Sequence, residues 1–232
     1  MSRKIKEVLS ERTDISRFVV HLTKNTNDGN ALENLVSILN DKEIRGRNHH
    51  CLFSPMLRAE EEDLQERFNV VCFTETPLDK IHLLTEISNR KVNLEPYGIV
   101  FKKEKIRKSR GNPVFYIYEE NHMLIRYFKK QYEEFIEEYY NEDTLGAFFT
   151  LGSIINIVKK GHDFHWEREW RVRKRLRFTY DEIYAVIAPR NKHEKIKKQL
   201  RINDFNYIPF IDSKWNYEEM LERISYQLWE IE

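Results

Sequence analysis

The sequence has few of the residues that mark fibrous, disulfide-stabilised or disordered proteins. Its 232 residues include only two cysteines, seven glycines and six prolines, whereas 41% are hydrophobic. This composition excludes the collagen-like, disordered and disulfide-scaffold classes, and the chain is long enough to bury a hydrophobic core. Cys51 and Cys72 form no CxxC pair. We therefore expect a reducing, cytoplasmic location.

Long apolar runs are missing as well. No segment approaches the roughly 20 consecutive apolar residues that a membrane span needs, and residues 1–14 lack the apolar centre of a signal peptide. We therefore expect no association with a membrane. Three further absences concern catalytic motifs, because the sequence contains no Walker A segment, no GxGxxG turn and no GxSxG elbow. These absences argue against P-loop NTPases, Rossmann dehydrogenases and α/β-hydrolases.

Metal-ligand spacing is also absent. The segments 49–51 (HHC) and 162–167 (HDFHWE) contain side chains that bind metals, but neither forms an HExxH motif, a paired CxxC motif or a DxDxDG loop. We therefore predict no metal site.

Neither sign of charge is in large excess, because the sequence has 39 Lys and Arg residues and 38 Asp and Glu residues. The charges are nevertheless segregated: segments 102–110 and 168–177 are basic, and segments 133–143 and 218–232 are acidic. Solvated faces with paired charges explain this pattern. A positive rim around a cleft for a phosphate-bearing ligand explains it equally. The basic segments 102–110 and 192–201 also leave nucleic-acid binding open.

The hydrophobic periodicity predicts a mixed α+β fold. Short apolar runs predict strands at 17–23, 70–74, 97–102, 113–118, 166–178, 183–188 and 207–211, and helical spacing predicts helices at 31–40, 57–67, 78–90, 121–140, 145–159, 192–201 and 217–229. Each strand is too short to form a core alone, and no long hydrophilic linker divides the chain. We therefore expect residues 1–232 to form a single α+β domain, with two small packed sheets and a helical insertion at about 119–160.

The segment 166–172 (WEREWRV) is the most informative for chemistry. In a strand, alternation places Trp170 and Val172 on the core face. The opposite face then carries two carboxylates and two guanidinium groups, those of Glu167, Glu169, Arg171 and Arg173. An exposed strand face with paired charges is one interpretation. The other is a carboxylate that stabilises positive charge developing on a ribose, with arginines that neutralise phosphates or fix the carboxylate.

A second candidate pair lies in the first predicted strand, where His21 and Thr23 are two residues apart and therefore share one face of the strand. A histidine in a strand is commonly a structural group whose hydrogen bonds are satisfied. Its neutral ring can also donate to a ribose hydroxyl, and Thr23 can add a second polar contact. Both interpretations of His21 stay open at the level of sequence.

Several short motifs resemble one family in their order along the chain. Segments 71–78 (VCFTETPL), 97–101 (YGIVF) and 166–171 (WEREWR), followed by 208–210 (IPF) and 214–215 (KW), resemble the AbiGi family of abortive-infection phage-resistance proteins. The resemblance spans most of the chain. It implies a bacterial antiphage setting in which the protein is often encoded beside a partner gene, and family members have been named antitoxins. A partner toxin or antitoxin is thus an implied partner.

A more distant likeness concerns the start of the chain. A strand with His-x-Thr, a helix at 34–39 (NLVSIL) and a turn at Gly46 are similar to the opening of DarT-like ADP-ribosyltransferases, which place a catalytic glutamate on a late strand. Segment 47–70 departs from that pattern. The likeness implies an ADP-ribosyltransferase-like fold that uses NAD as its substrate. It implies catalytic roles for Glu167 and Glu169, and NAD contacts for four further residues: His21, Thr23, Arg45 and Arg171.

Together these observations predict a bacterial antiphage protein that transfers ADP-ribose from NAD to a protein or nucleic-acid acceptor. In this interpretation Glu169 stabilises the ribose and Glu167 prepares the acceptor. The alternative is a non-catalytic antitoxin or sensor module that binds a partner toxin or a phage product. The acidic helix predicted at 217–229 favours the alternative, because it suits a basic partner. The oligomeric state stays open.

Overall fold

The computed structural model describes residues 15–87, 93–138, 142–160, 165–200 and 207–229. The strands are β1 (Phe18–Leu22), β2 (Glu43–Arg45), β3 (Val70–Phe73), β4 (Gly98–Lys102), β5 (Asn112–Pro113), β6 (Phe115–Tyr118), β7 (Ile155–Val158), β8 (Trp170–Arg173), β9 (Arg175–Arg177), β10 (Ile183–Ile187) and β11 (Phe210–Ile211). The helices are α1 (Ala31–Asp41), α2 (Ser54–Leu57), α3 (Glu62–Arg67), α4 (His82–Thr85), α5 (Lys103–Lys108), α6 (His122–Glu138), α7 (Glu142–Ile154), α8 (His193–Gln199) and α9 (Tyr217–Trp229).

The chain divides into two compact units. The first unit comprises Met1–Glu43, Phe73–Lys105 and Arg177–Glu232, and the second comprises Ile44–Cys72 and Ile106–Leu176. The described strands form sheets of order β1-β4-β10-β11, β3-β8-β5, β2-β9 and β6-β7. The mixed α+β class is confirmed, whereas the expected number of two sheets is wrong for the described residues. The single domain over residues 1–232 stays a prediction.

The first unit is built around its four-stranded sheet. Strand β4 pairs antiparallel with β1 and β10, and β10 pairs parallel with β11. Helix α1 begins at a capping box, in which Asn30 accepts from the Glu33 backbone amide and the Glu33 side chain accepts from that of Asn30. The sheet packs β-branched and small side chains into a buried cluster that includes Val20, Val100, Ala185, Ile187 and Ile211.

The second unit has an aromatic core. Its buried cluster includes Phe53, Phe68, Tyr132 and Phe149, whose rings contact one another edge-on or stacked. Helices α6 and α7 confirm the predicted helical character of about 119–160, but residues 155–158 are strand β7, which pairs parallel with β6. None of the helices in the described ranges is long and apolar enough to cross a membrane.

Several local predictions are wrong. The predicted helix 57–67 is interrupted, because α2 ends at Leu57 and α3 begins at Glu62. The predicted strand 166–178 is a 3-10 turn at His165–Glu167 followed by β8 and β9, which are separated at Lys174 with a left-handed φ of 64°. The predicted helix 78–90 is shortened to a 3-10 turn at Leu78–Lys80 and α4. The sequence predicts a basic loop with Gly111 between the strands at 97–102 and 113–118, but this segment begins with helix α5. Parts of the predicted elements, at 88–90, 139–140 and 201, lie outside the described residues.

Candidate active site

A carboxylate and a guanidinium form a closely matched pair at the beginning of β8. Glu169 immediately precedes the strand, and Arg171 is its second residue. Arg171 Nε donates to Glu169 Oε1 and Arg171 Nη2 donates to Glu169 Oε2, each at 2.9 Å. The side chain of Arg171 is 1% exposed and that of Glu169 is 15% exposed. The pair thus has the bidentate geometry that strengthens arginine–carboxylate contacts.

Other elements of the second unit complete the hydrogen bonding. The Tyr116 hydroxyl of β6 donates to Glu169 Oε2 at 2.7 Å, and the Cys72 thiol of β3 also hydrogen-bonds to this carboxylate. Arg171 Nη1 donates to the carbonyl oxygen of Ser153 in α7 at 2.9 Å. Four donors therefore surround one carboxylate, which matches its approximately four lone-pair sites.

Strand pairing fixes the position of Glu169. Strand β5 pairs antiparallel with β8, with Pro113 opposite Trp170, and the Val114 amide donates to the Glu169 carbonyl oxygen at 2.9 Å. Arg168 has a left-handed φ of 46°, so the chain turns between the 3-10 segment and the strand. Because β8 begins at Trp170, the backbone contact with Val114 holds Glu169 at the start of the strand.

The charges of the pair stabilise each other. Burial alone raises the pKa of Glu169, but the charge and hydrogen bonds of Arg171, together with the hydrogen bonds from Cys72 and Tyr116, outweigh it and hold that pKa below its ordinary value. Burial likewise lowers the pKa of Arg171, and Glu169 more than reverses the effect. The pKa values of Tyr116 and Cys72 are both raised, by burial and then by the Glu169 charge. Both groups are therefore neutral donors, and Cys72 is not a thiolate nucleophile.

Glu167 and its neighbours lie on the 3-10 turn beside this network. Glu167 is buried, and its negative charge contributes to the raised pKa of Tyr116. His165 is exposed, and its ring lies edge-on to that of Tyr116 with the centroids 5.9 Å apart. Trp166 is about half exposed. The turn therefore places a second carboxylate and two exposed rings next to the strand that carries Tyr116.

The predicted common face of Glu167, Glu169 and Arg171 is wrong. Only Arg171 lies within the strand, and its side chain is among the largest that are fully buried. Glu167 belongs to the turn, where strand alternation does not apply. The structure nevertheless brings Glu169 and Arg171 into direct contact, because the bidentate pairing offsets the cost of burying the guanidinium.

The remaining predicted site residues belong to strands β1 and β2 and the segment after β1. His21 in β1 is half-buried in the first unit, with its ring centroid 5.7 Å from that of Phe73. Thr23 belongs to the same unit, and its hydroxyl contacts the carbonyl oxygen of Ala31 at 2.8 Å. Arg45 ends β2 with an exposed side chain. The proton of the Thr23 hydroxyl is thus used within the fold, which leaves its oxygen as an acceptor.

Sequence reasoning did not assign two members of the network. Cys72 stands inside the segment VCFTETPL and Tyr116 inside PVFYIY, and neither segment contains a recognisable catalytic motif. The sequence signal for both residues is a polar side chain within an otherwise apolar strand. Such a side chain needs a hydrogen-bond partner when it is buried. Within the described ranges, no three His, Cys, Asp or Glu side chains cluster closely enough to hold a metal ion. His162 and Asp163 lie outside those ranges.

The fold and the site define a mixed α+β protein with a buried, ionised glutamate that four donors hold in place. Comparison of the chain with protein-family models, curated proteins and solved structures finds no match. The function is therefore argued from the geometry of the site and from the motifs of the sequence.

Proposed function

We propose that this chain is a bacterial antiphage protein with an ADP-ribosyltransferase-like fold, which transfers ADP-ribose from NAD to a protein or nucleic-acid acceptor. The observation that supports the proposal is the state of Glu169, whose carboxylate is ionised, oriented by Arg171 and still partly exposed. Cleavage of the nicotinamide–ribose bond develops positive charge on the ribose. A fixed negative charge stabilises such an oxocarbenium-like state most when it is organised in advance.

In the proposed reaction, the bond between ribose C1′ and the nicotinamide nitrogen breaks, and neutral nicotinamide leaves with the bonding electrons. The acceptor nucleophile then bonds to C1′ and loses its proton, which Glu167 accepts. Glu169 binds a ribose hydroxyl through Oε2 when that hydroxyl displaces the Tyr116 hydroxyl. This exchange leaves both contacts of Arg171 with Glu169 in place.

The geometry changes the role we assign to Arg171. Its guanidinium is occupied by Glu169 and the Ser153 carbonyl group, so we propose that it is a positioning residue rather than a diphosphate contact. Arg45, which belongs to the same unit as Glu169, remains the proposed diphosphate contact. The ribose contacts of His21 and Thr23, two residues of the first unit, stay predictions of the sequence.

Glu169→Gln is expected to reduce NAD turnover about 10²–10³-fold, because an amide keeps the shape of the side chain but carries no charge. Turnover is measured as nicotinamide release from labelled NAD, with protein, RNA and DNA acceptors supplied separately. Glu120→Gln is the matched control, because it removes one exposed carboxylate from the same unit. Urea unfolding of each variant shows whether the fold is retained.

Two results contradict this proposal. Wild-type protein that consumes no NAD with any acceptor has no transferase activity, and undiminished turnover in Glu169→Gln excludes Glu169 as the catalytic carboxylate. If Glu169→Gln fails to fold, Glu169→Asp replaces it, because aspartate keeps the charge but withdraws the carboxylate by about 1 Å. Such a displacement is expected to reduce turnover about 10²-fold.

A non-catalytic antitoxin or sensor module is the second candidate function. The observation that favours it is the exposed surface of α9, where Tyr217 and Leu221 lie one turn apart beside Glu218 and Glu222. Apolar side chains within an acidic surface suit a basic protein partner.

Co-expression with the product of the neighbouring gene is expected to yield a complex, and Leu221→Lys is expected to disrupt it, because the lysine places a positive charge against the basic partner. Lys214→Glu, at an exposed position before the helix, is the control and is expected to preserve the complex. Co-purification measures both. Failure of the wild-type proteins to co-purify contradicts this function.

A further inference from the structure

Two arginines of the second unit lie over the same aromatic ring. The guanidinium carbon of Arg67, at the end of α3, is 5.5 Å from the centroid of the Phe149 ring, and that of Arg173, at the end of β8, is 5.9 Å from it. Phe149 is buried beneath them. Cation–π attraction explains why each arginine covers the ring. It does not explain why two like charges share one ring.

A third arginine lies in the turn that precedes β5. Arg110 has a left-handed φ of 61°, and its amide donates to the Arg107 carbonyl oxygen at 3.0 Å. The chain then enters β5, which pairs antiparallel with β8 and has Asn112 opposite Arg171. Burial, followed by the charges of Arg67 and Arg110, lowers the pKa of Arg173, which agrees with three positive groups close together. We call Arg67, Arg110 and Arg173 the arginine cluster.

Carboxylates balance little of this charge. Arg67 binds Asp63 through Nε at 3.0 Å and Nη2 at 2.8 Å. Over the part of the chain that the structure describes, neither Arg110 nor Arg173 has a carboxylate partner. Like charges that are held close together repel each other. The folded protein therefore keeps these cations together at a cost, which a bound anion would remove.

We propose that the arginine cluster binds the phosphodiester backbone of a nucleic acid. Arginine forks suit phosphate groups because they donate two parallel hydrogen bonds. The positive surface continues through Lys174 and Arg175, both exposed on the turn between β8 and β9. An exposed row of cations matches successive phosphates of a strand rather than one enclosed nucleotide. Segment 102–110, one of the two basic segments that leave nucleic-acid binding open, contributes Arg110 to the cluster, and the basic segment 168–177 contributes Arg173.

Binding of this type is independent of base sequence and strongly dependent on salt, because phosphate contacts carry no sequence information and release counterions. It is also independent of the proposed transfer of ADP-ribose, since it needs no NAD. A negative result in the binding experiment leaves the NAD turnover experiment unaffected, and the reverse also holds.

The experiment is fluorescence anisotropy with short fluorescein-labelled oligonucleotides, as single-stranded RNA, single-stranded DNA and duplex DNA, without NAD. Affinity is measured between about 50 and 200 mM KCl. Wild-type protein is expected to bind with an affinity that falls as salt rises. Arg110→Gln/Arg173→Gln is expected to weaken binding and to reduce the slope of log K against log salt by about 1.4 for single strands, since each phosphate contact contributes about 0.7.

Arg58→Gln/Arg126→Gln is the matched control, because it removes two exposed arginines of the same unit that lie outside the cluster. It is expected to keep the wild-type slope, and urea unfolding verifies that both variants fold. The proposal fails if no oligonucleotide binds at low salt, or if the control loses as much slope as the cluster variant. It also fails if inorganic pyrophosphate binds the cluster while none of the oligonucleotides does.

Discussion

Arg171→Met is expected to lower the free energy of unfolding by about 3–5 kcal/mol, because it leaves the Glu169 charge buried without its partner. Methionine has a similar length and packs well in irregular apolar surroundings, so the change removes the charge more than the volume. The Ser153 carbonyl group also loses its donor. Urea unfolding at pH 7 measures the effect.

A double-mutant cycle tests this explanation. Glu169→Leu combined with Arg171→Met removes both charges, and replacing a whole buried ion pair by apolar side chains is often nearly neutral. The double variant is expected to recover much of the stability, although Tyr116 and Cys72 lose their acceptor. If Arg171→Met and the double variant lose equal amounts of unfolding free energy, the buried charge of Glu169 is not the cause of the loss.

The effect of Glu169 on stability changes with pH in opposite directions in the wild type and in Arg171→Met. In the wild type, the folded pKa of Glu169 lies below its unfolded value, so its contribution to stability is present above the unfolded value and is lost as pH falls. Without Arg171, burial raises the pKa of Glu169 with much less opposition. Folding then favours the protonated form, and the deficit of Arg171→Met is expected to shrink between pH 7 and pH 5. A constant deficit over this interval argues against an uncompensated carboxylate.

Local signals explain which elements the sequence predicts well. Helix α1 was expected at 31–40 and is found at Ala31–Asp41, since the capping box and the leucine spacing both lie within its own segment. The sequence predicts one continuous strand at 166–178, whereas the structure has two strands, β8 and β9. The break at Lys174 depends on distant backbone contacts: its amide donates to the Asn69 carbonyl oxygen at 2.7 Å, and its carbonyl oxygen accepts from the Gly46 amide at 2.6 Å.

In the candidate site, too, contacts between residues that are close in sequence are predictable, and contacts between distant strands are not. Glu169 and Arg171 are two residues apart, so their charges are visible together in the sequence, and their contact is confirmed. Tyr116 and Cys72 come from β6 and β3, and their approach to Glu169 depends on how separate strands pair. The position of Arg67 and Arg173 over the Phe149 ring likewise depends on contacts between separate elements, which no local pattern contains.

Phe68→Ala is expected to lower the free energy of unfolding by about 3–5 kcal/mol, the usual cost of a cavity left by a buried aromatic ring. Phe68 is fully buried, and its ring lies against those of Phe53, Tyr132 and Phe149. Phe115→Ala is the control, because that ring is 51% exposed and its loss opens no cavity. Urea unfolding of both variants gives the comparison, and similar losses would contradict the assigned core.

The same substitution links the aromatic core to the arginine cluster. The ring of Phe149 lies edge-on to that of Phe68 at 5.1 Å and supports Arg67 and Arg173 on its face. Removal of Phe68 lets Phe149 tilt into the cavity, because buried rings relax toward unfilled space. We therefore expect Phe68→Ala to weaken oligonucleotide binding while its salt slope stays within about 0.7 of the wild-type value, since no cation has been removed. Unchanged affinity in folded Phe68→Ala would mean that the two arginines hold their positions without support from the core.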